Sequence, residues 1–264
     1  MPTVRSQGCE IYYESRGEGP AVVFAHGMGG NRMSWWQQVP HFERQGYRVI
    51  TFDHRGFGRS TCGSGEFHPA RFPADLRALL DAEEVDCAAL VCQSMGGWTG
   101  LPTAVQTPER VVALALCGTP GGLATEKVAE ARSRLASVVA DQGIRGNAAL
   151  APDYPEREPA MALLYDQINS LNPGLELEAL ASFADPAAQV LPEALSSYSV
   201  PTLVISGDRD QLFPPDVLHD VAARVPGAEL VSFPGVGHST YFEDADRFNE
   251  VVGVFLEKHR PTFA

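Results

Sequence analysis

Strand-like runs of consecutive apolar and β-branched residues alternate along this chain with stretches in which apolar positions recur at helical spacing. In the first half the strand signals are Glu10–Ser15, Ala21–Ala25, Tyr47–Asp53, Ala88–Cys92 and Val111–Cys117. The helical signals between and after them are Ser34–Gln45, Ala74–Glu84, where Leu76, Leu79 and Leu80 share a face, and Gly96–Gln106. The alternation resumes with a strand at Thr202–Ser206, a helix at Pro215–Arg224, a strand at Glu229–Phe233 and a closing helix at Asp246–Lys258. Strands that are apolar on both sides need cover on both. The pattern therefore predicts an α/β fold with a mostly parallel central sheet and helices on both faces.

Between Thr119 and Ser199 the strand signal stops and alanine-rich helical pieces such as Glu126–Ala140 and Ala160–Ser170 replace it. Pro152, Pro155, Pro159, Pro173, Pro186 and Pro192 break this stretch into short helices. The expected organisation is a core of residues 1–118 and 200–264 that carries a helical insertion over 119–199. The insertion starts beyond the end of a parallel strand, the side on which such sheets place their sites, so it is expected to form a cap over the site.

With 264 residues the chain suits either one large α/β domain or one domain carrying an insertion, rather than two full domains. The formal net charge of −13 argues against nucleic acid or an anionic membrane as partner, because like charges repel. No apolar run reaches the roughly 18 residues needed to span a bilayer, and the expected compartment is the cytoplasm. Five cysteines, Cys9, Cys62, Cys87, Cys92 and Cys117, are an odd number without CxxC spacing, which predicts reduced thiols. Seven histidines show no HExxH or other ligand cluster, so no metal and no cofactor is expected. The expected partner is a small-molecule substrate.

The sharpest local signal is Cys92-Gln93-Ser94-Met95-Gly96-Gly97, which leaves a strand and opens a helix. A serine in that context sits on a tight, strained turn with its hydroxyl above the sheet, and small residues two positions to either side prevent clashes. Gly96 fits this requirement. Cys92 stands where glycine is usual, and its thiol is expected to be a small buried filler rather than a second nucleophile. A nucleophilic serine needs a base, and the base needs an orienting carboxylate. Two carboxylates, Asp208 and Asp210, follow the strand Thr202–Ser206, and His238 follows the last strand between flexible glycines. In Asp53-His54-Arg55-Gly56-Phe57-Gly58-Arg59-Ser60, Asp53 and Arg55 are suited to hold a tight loop by charge-assisted hydrogen bonds. That segment lacks the Gly-x-Gly-x-x-Gly fingerprint of nucleotide binding.

Taken together, His26-Gly27-Met28-Gly29-Gly30, the Asp53–Ser60 segment, the serine turn and the acid and histidine loops resemble the α/β-hydrolase family in its serine-nucleophile branch, over nearly the whole chain apart from the insertion. The resemblance implies a Ser94–His238–Asp210 triad. Gly207, Asp210 and Pro214 fit the family's acid-loop spacing, which prefers Asp210 and leaves Asp208 to cap a turn. It also implies an oxyanion hole made by the backbone N–H groups of Met28 and Met95, and a turn-holding role for His26. Trp98, Met161, Leu164 and Phe183 are the candidate substrate-pocket residues.

The activity so implied is hydrolysis of a carboxylic ester, lactone or thioester of a small to medium, largely apolar substrate, through an acyl-enzyme on Ser94. Alternatives within the family are carbon–carbon hydrolysis of the meta-cleavage-product type, whose members usually carry tryptophan where this chain has Ser239, and cofactor-free haloperoxidase or perhydrolase chemistry. A ligand receptor on the same fold is the alternative that is not an enzyme.

Overall fold

A computed structural model of the chain describes residues 2–142, 147–172 and 177–260. The strands are β1 (Thr3–Ser6), β2 (Cys9–Arg16), β3 (Ala21–Ala25), β4 (Arg48–Phe52), β5 (Thr61–Cys62), β6 (Ala88–Gln93), β7 (Val111–Cys117), β8 (Thr202–Gly207) and β9 (Glu229–Phe233). They form one sheet in the order β1-β2-β4-β3-β6-β7-β8-β9, with β5 paired to β2. Pairing is parallel from β4 through β9, and β2 runs antiparallel to β1, β4 and β5.

The helices are α1 (Gln38–Arg44), α2 (Phe72–Ala82), α3 (Gly97–Gln106), α4 (Glu126–Gln142), α5 (Tyr154–Arg157), α6 (Pro159–Ser170), α7 (Leu177–Ala181), α8 (Pro215–Arg224), α9 (Thr240–Glu243) and α10 (Ala245–His259). The predicted helix over Ser34–Gln45 is two pieces, a 3-10 turn Arg32–Trp35 and then α1. Asn31 starts the turn with a reciprocal capping box, its side chain accepting from the Met33 amide.

Alternation along the central strands divides the core in two. Val23, Ala25, Leu90 and Cys92 pack on one face with Leu76, Leu79 and Leu80 of α2, Leu101 of α3 and Val217 of α8. Val22, Phe24, Ala89 and Val91 pack on the other with Phe42 of α1 and Phe248, Val252 and Phe255 of α10. Every residue of β3, β6, β7 and β8 is buried, as continuous apolar strands between two helix layers require. β9, at the edge, is largely exposed.

The strand order fixes where a site can form. From β3 the chain moves outward to β4, then returns to β6 on the other side of β3, so the carboxyl ends of β3 and β6 flank a topological switch point. His26–Gly30 leaves β3 there, and Ser94 leaves β6 there.

Among the described residues, the insertion contains helices, 3-10 turns and a single isolated bridge, Leu123 to Val190, but no named strand. The Leu123–Val190 bridge and the bond from Val190 N to Gly122 O (2.9 Å) bring the two ends of the insertion together. Among the described residues no helix is long and apolar enough to cross a membrane.

The thiol expectation is corrected. Cys9 and Cys62 form a disulfide, while Cys87, Cys92 and Cys117 are free. The stretch between β4 and α2 contains the short strand β5, and its pairing with β2 sets Cys9 and Cys62 directly opposite each other with Cα atoms 4.3 Å apart. Cysteine number and spacing carry no information about such a pairing.

Candidate active site

Ser94 has φ of +49°, one of three non-glycine residues in the left-handed region among those described. A side chain there is strained, and the surroundings enforce it. β6 ends at Gln93, a 3-10 turn covers Ser94–Gly96 and α3 follows at once. The turn is tight enough that a Cβ on Gly96 would lie 2.2 Å from the Ala25 carbonyl oxygen, and one on Gly97 2.3 Å from Thr119 Oγ1. Ser94 itself is half-buried, whereas Met95 and Trp98 are buried. Cys92 points away from the turn: a Cβ on Gly100 of α3 would meet its Sγ at 2.6 Å, and burial pushes its thiol pKa up. It is a small buried filler, as expected.

His238 and Asp210 are both buried, and His238 Nδ1–H donates to Asp210 Oδ2 at 2.8 Å. Asp210 Oδ1 accepts the backbone N–H groups of Leu212 (2.8 Å) and Phe213 (2.9 Å). With both oxygens engaged, the carboxylate cannot rotate without losing bonds, so it fixes the ring and its tautomer. Nε2, left to act as acceptor, is buried without a hydrogen-bond partner, and Ser94 Oγ does not bond it in this structure. Asp208 is exposed and its Oδ1 accepts the Gly235 N–H at 2.7 Å, the turn-capping role expected of it.

The histidine loop lies beside the serine turn because of strand register. Gln93 and Cys117 are partners in β6 and β7, and the next residues are Ser94 and Gly118. Gly118 has φ of +57°, and a Cβ there would lie 2.8 Å from the His238 carbonyl oxygen and 3.2 Å from Nδ1. Sequence reading missed α9 and its Glu243, whose carboxylate accepts from Gly237 N (3.1 Å) and Ala151 N (3.0 Å) and so ties the histidine loop to the insertion. Burial pushes its pKa up to about 7 despite those two bonds.

The loop after β3 is held just as closely. A Cβ on Gly27 would meet Ser94 Cβ at 3.0 Å, so this loop lies against the serine. His26 Nδ1–H donates to the Gly27 carbonyl (2.8 Å) and Nε2 accepts the His54 N–H (2.9 Å). The bond accepted by Nε2 requires neutral imidazole, and burial pushes the His26 pKa down to about 4. Gly30 N–H also donates to the Gly27 carbonyl, at 3.1 Å. All described peptide bonds are trans, so fixing the Gly27 carbonyl fixes the Met28 N–H on the other side of the same plane. His26 is thus the turn-holding group the resemblance implied.

The Asp53–Ser60 segment supports this arrangement from behind. Asp53 accepts the N–H groups of Arg32 (2.7 Å) and Arg59 (2.9 Å), and fully buried Arg55 pairs with Asp75 while donating to the Glu66 carbonyl (2.7 Å).

The structure divides the four suggested pocket residues. Trp98 and Phe183 are buried edge-to-face with ring centroids 5.2 Å apart, in the core beneath the α3 side of the sheet. Met161 packs partly buried against the other core, and Leu164 is 36% exposed. No group of three or more histidine, cysteine, aspartate or glutamate side chains among the described residues could hold a metal ion.

Residues 20–245 match the alpha/beta hydrolase fold family. The chain belongs to that family. Among curated relatives, a 2-hydroxy-6-oxo-6-phenylhexa-2,4-dienoate hydrolase of Comamonas testosteroni is 31% identical, covering 94% of this chain and 91% of its own. Among solved structures, an enol-lactonase from Burkholderia xenovorans LB400 superposes with a TM-score of 0.79 at 27% identity, over 97% of this chain and all of the other. A protein described as an N-acyl homoserine lactone degrading enzyme gives the same TM-score at 29% identity, over 96% of this chain and all of its own. The α/β-hydrolase architecture expected from the motifs is the architecture observed.

Proposed function

We propose that this protein is a serine hydrolase that opens a carboxylic ester, lactone or thioester through an acyl-enzyme on Ser94. The observation that carries the reading is the buried pair in which His238 Nδ1–H donates to Asp210 Oδ2, which leaves Nε2 as the acceptor, together with a serine held in a strained turn at the end of the strand next to Cys117 and Gly118. Nε2 takes the Ser94 proton as Oγ attacks the carbonyl carbon, and the Met28 and Met95 N–H groups receive the negative charge on the carbonyl oxygen. The protonated imidazole, stabilised by Asp210, then gives that proton to the leaving oxygen or sulfur. In the second half Nε2 takes a proton from water, hydroxide attacks the acyl carbon, and Ser94 Oγ leaves with the proton.

Residues 119–199 serve as a cap in this reading. They contact the elements that carry the site at three places: Ala151 at Glu243 and the histidine loop, Phe183 on Trp98 of α3 in the core, and Asn172 on the loop after β3. Lactone or ester cleavage is favoured by the lactone-acting structural neighbours. The relative acting on a phenylhexadienoate supports carbon–carbon hydrolysis as a second reading, against which Ser239 stands where such enzymes carry tryptophan.

A panel of short-chain esters, lactones and a vinylogous diketone, assayed with wild type and Ser94→Ala, tests the proposal. Sustained turnover of an ester or lactone that disappears in Ser94→Ala supports it. Turnover confined to the diketone would replace it with the second reading, and a single burst with ligand-dependent stabilisation would indicate a receptor.

A further inference from the structure

Asn172, just beyond the end of α6 in the insertion, is 7% exposed and directs most of its amide hydrogen bonds to other segments. Its Nδ2 donates to the carbonyls of Gly29, Gly30 (3.1 Å) and Asn169 (3.3 Å). Its Oδ1 accepts the Gly58 N–H (3.0 Å) and Asn31 Nδ2 (3.4 Å). Asn31 Nδ2 also donates to the Ile168 carbonyl at 2.9 Å, so the same corner of the insertion is gripped twice.

The consequence follows from peptide planarity. Holding the Gly29 carbonyl fixes the plane that carries the Gly30 N–H. That N–H donates to the Gly27 carbonyl, whose plane carries the Met28 N–H. The loop has glycine at 27, 29 and 30, with Gly29 at φ +87°, so its own torsions resist a peptide flip only weakly. Outside hydrogen bonds must supply the rigidity: His26 holds the Gly27–Met28 plane, and Asn172 holds the Gly29–Gly30 and Gly30–Asn31 planes.

We infer that Asn172 is a positioning residue for the oxyanion hole, through which the insertion takes part in transition-state stabilisation as well as enclosing substrate. This rests on the proposed hydrolase reading. Removing an oxyanion donor outright costs about 10² to 10³ in kcat. A donor that is misaligned for part of the time costs less, so Asn172→Ala lowers kcat by roughly 10- to 100-fold with KM changed less than about threefold. Asn172→Asp, the same size but unable to donate to two carbonyls, matches or exceeds that loss. Asn172→Ser keeps one donor and falls between alanine and wild type.

The readout that packing alone would not move is the inhibition constant of a boronic acid that forms a tetrahedral adduct on Ser94. It should weaken in proportion to kcat/KM, while the Kd of the carboxylate product stays within about threefold. Thermal melting confirms that each variant is folded at the assay temperature, and Asn172→Ser provides a milder variant if alanine lowers the melting point too far. Wild-type kcat in folded Asn172→Ala and Asn172→Asp, or boronate affinity unchanged while the melting temperature falls, would overturn the inference. The Ser94→Ala control separates the two claims. If it retains turnover, the hydrolase reading fails. If it is inactive while the Asn172 variants keep kcat, only the positioning role fails.

Discussion

Replacing Asp210 by asparagine tests how the acid acts, and the structure sets the outcome. Oδ1 faces the N–H groups of Leu212 and Phe213, so the amide introduced by the substitution must present its oxygen there. Reversing it would leave both donors unpaired, and the buried one, Phe213 N–H, alone costs about 1–3 kcal/mol. The amide nitrogen therefore faces His238 Nδ1, now 2.8 Å from a donor rather than an acceptor. The imidazole answers by carrying its proton on Nε2, where it can no longer accept one from Ser94. A triad with the wrong tautomer loses about 10⁴ in kcat, equivalent to roughly 5 kcal/mol of transition-state stabilisation. Steady-state kinetics on an ester that wild type turns over should show that fall, with KM and the melting temperature little changed. Asp208→Asn removes one exposed capping interaction with Gly235 and should cost less than about tenfold. A larger loss in Asp208→Asn than in Asp210→Asn, or Asp210→Asn within tenfold of wild type, would refute the assignment.

Three further outcomes are expected. Glu243 has its pKa raised to about 7 by burial, so the folded state holds more protons than the unfolded one between about pH 4.5 and 7, and stability falls as pH rises through that window by at most about 3 kcal/mol; melting curves across pH 4 to 8 should be steeper for wild type than for Glu243→Gln, and equal slopes would contradict the assignment. The disulfide closes a loop with a sequence separation of 53, worth about 4 kcal/mol on a chain-entropy estimate, so reductant or Cys9→Ala with Cys62→Ala should lower the melting temperature, whereas insensitivity to reductant would show that the two thiols are not joined. Asp75→Ala strands the buried Arg55 guanidinium and should cost about 3–5 kcal/mol in urea unfolding; a loss under 1 kcal/mol would show that the pair does not hold the Asp53–Ser60 segment.

What the sequence made legible follows from how local each signal is. β3, β6, β7 and β8 are apolar on both faces, so their positions stood out within a residue or so. Ser94 and His238 lie in short motifs next to strand ends, and the Gly207–Asp210–Pro214 spacing picked out the carboxylate that accepts from His238 Nδ1. Asn172 had no such marker, because its bonds reach Gly30 and Gly58 from more than a hundred positions away. Cys9 and Cys62 meet through a two-residue strand too short to show periodicity. Glu243 lies in a four-residue helix that was missed for the same reason. The pocket guess took large apolar residues near the turn or in the insertion. Chain proximity cannot separate Phe183, buried on Trp98, from Leu164, open to solvent.

The central claim is a covalent acyl-enzyme on Ser94, and its most direct measurement is mass spectrometry of the protein quenched in acid during turnover of a slowly deacylating ester. The account predicts an added mass equal to the acyl group, mapped by peptide digestion to the segment that holds Cys92-Gln93-Ser94-Met95 and absent from Ser94→Ala. An adduct on another residue, or full ester turnover by Ser94→Ala, would contradict it.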